Sequence, residues 1–322
     1  MKWGIIGAGK IAQKFAEDLI LTEGQELCAI ASRSLQKAQD FADRNGITQA
    51  FGDYASLIES FDLVDIIYIA TPHHIHAELS IKAMQAGKHV LCEKPACVNA
   101  KDMQEVLQCS RIHQRFFMEG LWTRFNPSMI KLLEIIRSGY IGEIRYVNAD
   151  FCFPAHQNEK SRLFNLELAG GALLDIGIYP LFLAYSVLGS PLSLNASANF
   201  SSTGVDKQLA MTLNYVNAHA VLYASFDVLS PMDARIHGSE GSIVIKGRWH
   251  ETGGFTVIKD GLKEDFDFPV SGNGFVPEIL ECEICISDSR IESAMWRHDD
   301  SLRLCEIMDS VREHIGLKYP FE

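Results

Sequence analysis

Gly4-Ile5-Ile6-Gly7-Ala8-Gly9-Lys10-Ile11-Ala12 is the stretch that decides how this chain folds. Residues 2–6 form a near-continuous apolar run bounded by glycine, the pattern of a short buried strand. Ile11, Ala12, Phe15, Ala16 and Leu19 then recur at helical spacing, so a helix opens at about Lys10. Between the two lies Gly7-x-Gly9-x-x-Ala12. Gly7 permits a tight turn, Gly9 lets backbone approach a pyrophosphate, and Ala12 lets the helix pack closely on the strand. The N–H groups of the helix start, at Lys10 and Ile11, face the phosphate. The same spacing occurs in ordinary turns, but the strand before it and the helix after it are the context a dinucleotide site needs.

Outward from this turn the chain keeps alternating. Residues 27–31 read as a second strand and 35–44 as a helix. An NAD site has Asp or Glu near the end of that strand for the ribose hydroxyls. Here Ser32 and Arg33 stand there, with Lys37 one helical turn later. Cations attract a 2′-phosphate where a carboxylate would repel it, which favours NADP; two solvated surface cations are the plain alternative. A strand over 64–70 is broken by Thr71-Pro72, and a helix runs from His76 to about Ala86, stopped by Gly87. A strand over 88–92 ends in Glu93-Lys94-Pro95, followed by a helix over 100–113 and a strand over 115–119. Such alternation predicts a parallel sheet covered on both faces, with ligands beyond the carboxyl ends of its strands. Thr71, Pro72, His76, Glu93 and Lys94 all fall there.

After Trp122 the pattern changes. Helices are expected over 126–138, within the apolar stretch 170–189, and over 276–287 and 301–315. Strands are expected over 144–153, 194–200, 209–216, 218–227, 234–237, 242–246 and 255–259. Successive strands without helices between them imply a mostly antiparallel sheet. The chain has 322 residues, more than one core usually supports. The expected division is residues 1–121, a Rossmann dinucleotide-binding domain, and 122–322, an α+β domain with an open sheet.

Lys94 is the first candidate for chemistry. Pro95 turns the chain away at a strand end, and a lysine fixed there could stabilise a developing alkoxide. Asp175 and Tyr179 interrupt the apolar segment of the second domain and stand four apart, so an α-helix would put them on one face. Tyrosine normally titrates near ~10, and a neighbouring lysine cation favours its phenolate. Lys94 and Tyr179 therefore make chemical sense together, with Asp175 orienting one of them or a substrate hydroxyl. A helix-start Asp and a core Tyr are the bland alternative. His73, His74 and His76 lack the spacing of a zinc site, and no metal is expected. Trp122, Phe125 and Phe153 are candidates to line a substrate pocket, or plain core residues.

The net charge of −12 argues against a nucleic-acid surface. No apolar run approaches the roughly 18 residues of a membrane span, and the N-terminus enters the first strand without an apolar leader, so a cytoplasmic location is expected. The eight cysteines form no regular frame, and Cys282-x-x-Cys285 has no second pair, so they read as reduced thiols used as small hydrophobes.

These motifs resemble the glucose–fructose oxidoreductase/inositol dehydrogenase family over essentially the whole chain. The matching stretches are 7–12, Ala70-Thr71-Pro72 with His76, 86–90 through Glu93-Lys94-Pro95, and 170–179. Residues 118–127, together with Tyr179, are similar to the branch of dimeric dihydrodiol dehydrogenases and D-xylose dehydrogenases. The resemblance implies NADP as cofactor, a catalytic lysine at Lys94, an acid/base at Tyr179 with Asp175 in support, and a homodimer through the second-domain sheet. It implies hydride transfer with a small-molecule polyol, sugar or cyclic diol. A glycosidase with internal redox cycling and a non-catalytic NADP-binding sensor are the competing functions.

Overall fold

The computed structural model describes residues 1–156, 158–159, 161–251, 253–270 and 272–322. Along the chain come β1 (Lys2–Ile6), α1 (Lys10–Leu21), β2 (Glu26–Ala31), α2 (Leu35–Asn45), β3 (Gln49–Phe51), α3 (Tyr54–Ile58), β4 (Ile66–Ile69), α4 (His76–Gln85), β5 (His89–Glu93), α5 (Ala100–His113) and β6 (Phe117–Gly120). They are followed by α6 (Pro127–Arg137), β7 (Ile144–Cys152), α7 (Ile178–Leu188), β8 (Ser193–Phe200), β9 (Asp206–Asn214), β10 (His219–Ser225), β11 (Ala234–Gly238), β12 (Gly241–Ile245), β13 (Gly254–Lys259) and β14 (Leu262–Asp267), then α8 (Val276–Ser287) and α9 (His298–Ile315). Two compact units result: Met1–Phe125 with Ser271–Leu302, and Asn126–Val270 with Arg303–Glu322.

The first unit is built on a six-stranded sheet in the order β3-β2-β1-β4-β5-β6, parallel throughout. Ile5, Ile6, Ile66, Ile67 and Ile69 are fully buried, as expected of strands covered on both faces. The order reverses between β1 and β4, and in such sheets ligands bind in the crevice at that switch point. Two short elements, β3 and α3, were not anticipated. Three residues are too few to show a period, and α3 owes its start to Asp53, whose carboxylate accepts the Ser56 N–H at 2.8 Å.

The division expected at 121/122 runs straight on to the C-terminus, whereas residues 272–302 pack with the first unit. Asp18 of α1, 1% exposed, accepts the N–H groups of Asn273 and Phe275. Phe275 in turn packs against Phe15 and stacks on Trp122. Beyond α8, the N–H of Phe117 donates to Ile291 O at 3.0 Å, so this segment covers the edge of β6.

The second unit carries an eight-stranded sheet in the order β14-β13-β12-β11-β7-β10-β9-β8. Only β7 and β10 pair in parallel; the other neighbours are antiparallel. The missed strand β14 reads LKEDFD, an exposed edge whose charges hide the alternation. Leu166–Leu188 corrects another expectation: its 23 residues are long and apolar enough to cross a membrane by length and composition. It is mostly buried within this unit, as a core helix is. All eight cysteines are buried, and burial pushes the Cys285 thiol up to about 12.

Candidate active site

The first unit gathers the expected cofactor residues along one edge of its sheet, at the carboxyl ends of β1, β2, β4 and β5. Gly7 has φ +107°, and a Cβ there would lie 2.4 Å from Ala70 O. Its glycine therefore allows the chain after β4 to approach the turn after β1. Gly9 is the N-cap of α1, with no side-chain cap, and a Cβ on it would meet nothing within 4 Å. The open N–H groups of a 12-residue helix thus face clear space, the electrostatic setting for an anion. Lys10 and Ile11 are exposed beside it. Across the switch point, the Thr71 hydroxyl is buried and has no hydrogen-bond partner among the described residues. An orphaned donor beside an uncapped helix start fits a polar, phosphate-bearing ligand.

Ser32 closes β2, buried, its N–H on Phe51 O. Arg33 is exposed and shares a side-chain hydrogen bond with Tyr54 of α3. Burial raises the Tyr54 phenol more than that guanidinium lowers it. The Lys37 side chain is exposed, while its N–H is capped by Ser34 Oγ.

Around Lys94, which is half-buried, side chains hold several backbone groups of the turn. The Lys94 N–H donates to Glu93 Oε2 at 3.2 Å, and Glu93 Oε1 accepts the Tyr68 hydroxyl. Pro95 O lies 2.9 Å from His76 Nδ1, and His76 Nε2 lies 2.8 Å from Thr71 O. His76 is fully buried at the start of α4. It ties the loop after β4 to the loop after β5. His73 packs edge-on to it, and among the described residues no group of three or more His, Cys, Asp or Glu could hold a metal ion.

In the second unit the segment bearing Tyr179 does not start as an α-helix. Leu173–Gly177 is a π-helical turn that leads into α7. The expected regular α-helix through both residues is thus corrected: Asp175 lies in the π turn, which bonds residues five apart, and Tyr179 in the first turn of α7. Asp175 accepts Arg162 Nη2 at 2.7 Å. The start of the segment is held by Asp206 of β9, whose Oδ2 accepts the Leu173 N–H at 2.7 Å, and by the Tyr319 hydroxyl, which donates to Gly170 O. Gly171, at φ +122°, would place a Cβ 2.1 Å from Asp206 Oδ1.

Tyr179 is 5% exposed, with its ring 5.4 Å from both Phe151 and His250. Phe151 and His250 stack at 4.1 Å. Phe153, half-buried, adjoins Phe151 and Phe226. Of the expected pocket residues in the first unit, Trp122 is half-buried, but Phe125 is 1% exposed and belongs to the core. Sequence reading missed His250 and Arg162, because nothing local links a lone histidine or arginine to a residue 71 or 13 positions away that folding brings beside it.

Comparison with known proteins bears on both units. A family model described as "Oxidoreductase family, NAD-binding Rossmann fold" matches residues 1–121, and one described as "GFO/IDH/MocA C-terminal domain" matches 129–244. The chain is 32% identical to a trans-1,2-dihydrobenzene-1,2-diol dehydrogenase of Danio rerio, over 99% of this chain and 98% of the relative. It is 31% identical to a D-xylose 1-dehydrogenase (NADP(+)) of Hypocrea jecorina, over 99% and 93%. Among solved structures, the 3-ketoreductase KijD10 of Actinomadura kijaniata with NADP and TDP-benzene matches at TM-score 0.88 and 27% identity, over 98% of each chain.

Proposed function

The chain belongs to the GFO/IDH/MocA oxidoreductase family, and on that premise we propose the reaction it catalyses and the residues that carry it. It is an NADP-dependent dehydrogenase that moves a hydride between nicotinamide and a secondary alcohol or carbonyl of a sugar, sugar-like ring or trans-dihydrodiol. The observation that supports the residue assignment best is the turn at Lys94. A half-buried lysine stands at the carboxyl end of β5, in the same row as the uncapped start of α1.

Bound NADP supplies the hydride acceptor or donor. The N–H groups at the start of α1 hold the pyrophosphate, and Gly9 gives it room. Arg33 and Lys37 answer the 2′-phosphate, and Thr71 offers its orphaned hydroxyl. Lys94 Nζ donates to the reacting oxygen and stabilises negative charge as it develops. Tyr179 Oη takes the hydroxyl proton during oxidation and returns it during reduction. Asp175, oriented by Arg162, holds a further substrate hydroxyl, and Trp122 and Phe153 wall the substrate. Two coarser readings complete the proposal: the protein acts in the cytoplasm, and it works as a homodimer through the second-unit sheet.

The test is a screen of pentoses, hexoses, inositols and trans-dihydrodiols with NADP⁺, following NADPH absorbance. Tyr179→Phe and Lys94→Ala should each lower kcat by about 10²- to 10⁴-fold, the usual weight of a general acid–base group. If the two act on one oxygen, the double variant should be little worse than the worse single one. A Tyr179→Phe enzyme with wild-type kcat would sink the assignment. Glycoside cleavage without net absorbance change would favour internal redox cycling, and NADP binding without turnover on any of these compounds would favour a sensor.

A further inference from the structure

Beyond the residues assigned above, the first unit holds a second buried carboxylate against the lysine turn. Glu119 lies on β6 opposite Cys92 of β5 and is 2% exposed. Its Oε1 accepts the Ala96 N–H at 3.0 Å. Its Oε2 accepts the Ser301 hydroxyl at 2.8 Å and the Trp296 indole N–H at 3.3 Å. Trp296 Nε1 also lies 2.8 Å from Ser301 Oγ, so these groups form one closed network. A charge buried this deeply is costly unless its hydrogen bonds are met, and these three donors meet them. Burial nevertheless pushes the Glu119 carboxyl up, against the pull of those donors and of the Lys94 charge. With Glu93 on the Lys94 N–H and His76 on Pro95 O, every backbone polar group named in the turn is held by a buried side chain.

We propose that Glu119 is a positioning residue for Lys94, fixing the Lys94–Ala96 turn through its charge-assisted bond to the Ala96 N–H. The inference rests on the reading of Lys94 as the group that holds the reacting oxygen. A carboxylate is required because it accepts on both sides. Glutamine has one acceptor oxygen, and its amide would face either the Ala96 N–H or the Trp296 indole, each of which only donates.

Glu119→Gln should therefore lower kcat by about ten- to a hundredfold, the scale of a sub-ångström to ångström misplacement. KM for the alcohol and Kd for NADP should stay within about twofold, because the ligand contacts themselves remain. In the Lys94→Ala background the same change should cost nothing further. A merely structural role would lower Tm and leave kcat intact, which would overturn the inference. Full multiplication of the two losses would overturn it as well. Lys94→Ala with wild-type kcat would sink the reading of Lys94 first, and the inference with it, whereas an inactive Lys94→Ala beside a fully active Glu119→Gln would sink the inference alone. If Glu119→Gln does not fold, Trp296→Phe becomes the deciding variant. It removes one donor and should lower kcat by about two- to tenfold at unchanged KM; an unchanged kcat would overturn the proposal.

Discussion

Gly7 and Gly9 are two positions apart and are glycine for different reasons. At Gly7 an added Cβ meets a carbonyl of the neighbouring strand end at 2.4 Å, on a backbone at φ +107°. Gly7→Ala should therefore damage the first unit itself, through strain of roughly 1–3 kcal/mol and the displaced loop after β4. At Gly9 the backbone is extended at φ −89° and the Cβ would meet no protein atom. Gly9→Ala should leave Tm nearly unchanged while raising Kd for NADP by about tenfold or more, a loss of ~1.4 kcal/mol. Thermal melts and nucleotide titrations of the pair separate the two effects. Equal losses of stability would refute the distinction. Arg33 offers a third test at this scale. Arg33→Asp should raise Kd for NADP by about 10- to 100-fold, the weight of a charge-assisted bond lost, and spare NAD. A wild type that prefers NAD and a variant that changes nothing would show that Arg33 is misassigned.

The element that carries Tyr179 depends on distant parts of the chain. The π turn before α7 is capped by Asp206, which reaches it from β9. Burial pushes that carboxyl up to about 7, from its ordinary 3.8, and outweighs the Leu173 and Ala172 N–H groups that lower it. Between those values the folded chain keeps a proton that the unfolded chain has released. Stability from this group is thus fully present at low pH and lost as pH rises from about 4 to about 7. Asp206→Asn keeps an acceptor for Leu173 and removes the titration. From pH 5 to pH 8 the wild-type Tm should fall by roughly 3–6 °C more than that of the variant. Parallel curves would show that Asp206 does not titrate in this range. The sequence carried the apolar run of this element and its glycine start, but no local pattern distinguishes a π turn from an α turn. Nor does any local pattern link Asp175 to Arg162, whose guanidinium donates to it.

At the scale of the molecule, the second-unit sheet is uneven on its two faces. Along β10, Ala220, Leu222 and Ala224 are buried and α7 packs on β7 and β10, whereas Val221 is 46% exposed and Tyr223 half-buried. Tyr146, one strand away and 37% exposed, stacks on His237. A homodimer through this face should scatter light as twice the chain mass, and Val221→Glu should halve it without altering NADP affinity. A wild-type monomer at micromolar concentration would argue against the assembly. The sequence by itself determined the parallel sheet, the dinucleotide turn, the antiparallel character of the second half and the candidacy of Lys94 and Tyr179. Each of these rests on a local period or on a glycine or proline whose backbone preference is intrinsic. Only the tertiary structure decided that residues 272–302 return to the first unit, that Glu119 and His76 brace the lysine turn, and that Phe125 is core. Those outcomes depend on buried carboxylates, imidazoles and edges finding partners far along the chain, and a hydrogen bond across 177 or 257 residues leaves no pattern in the sequence near either end.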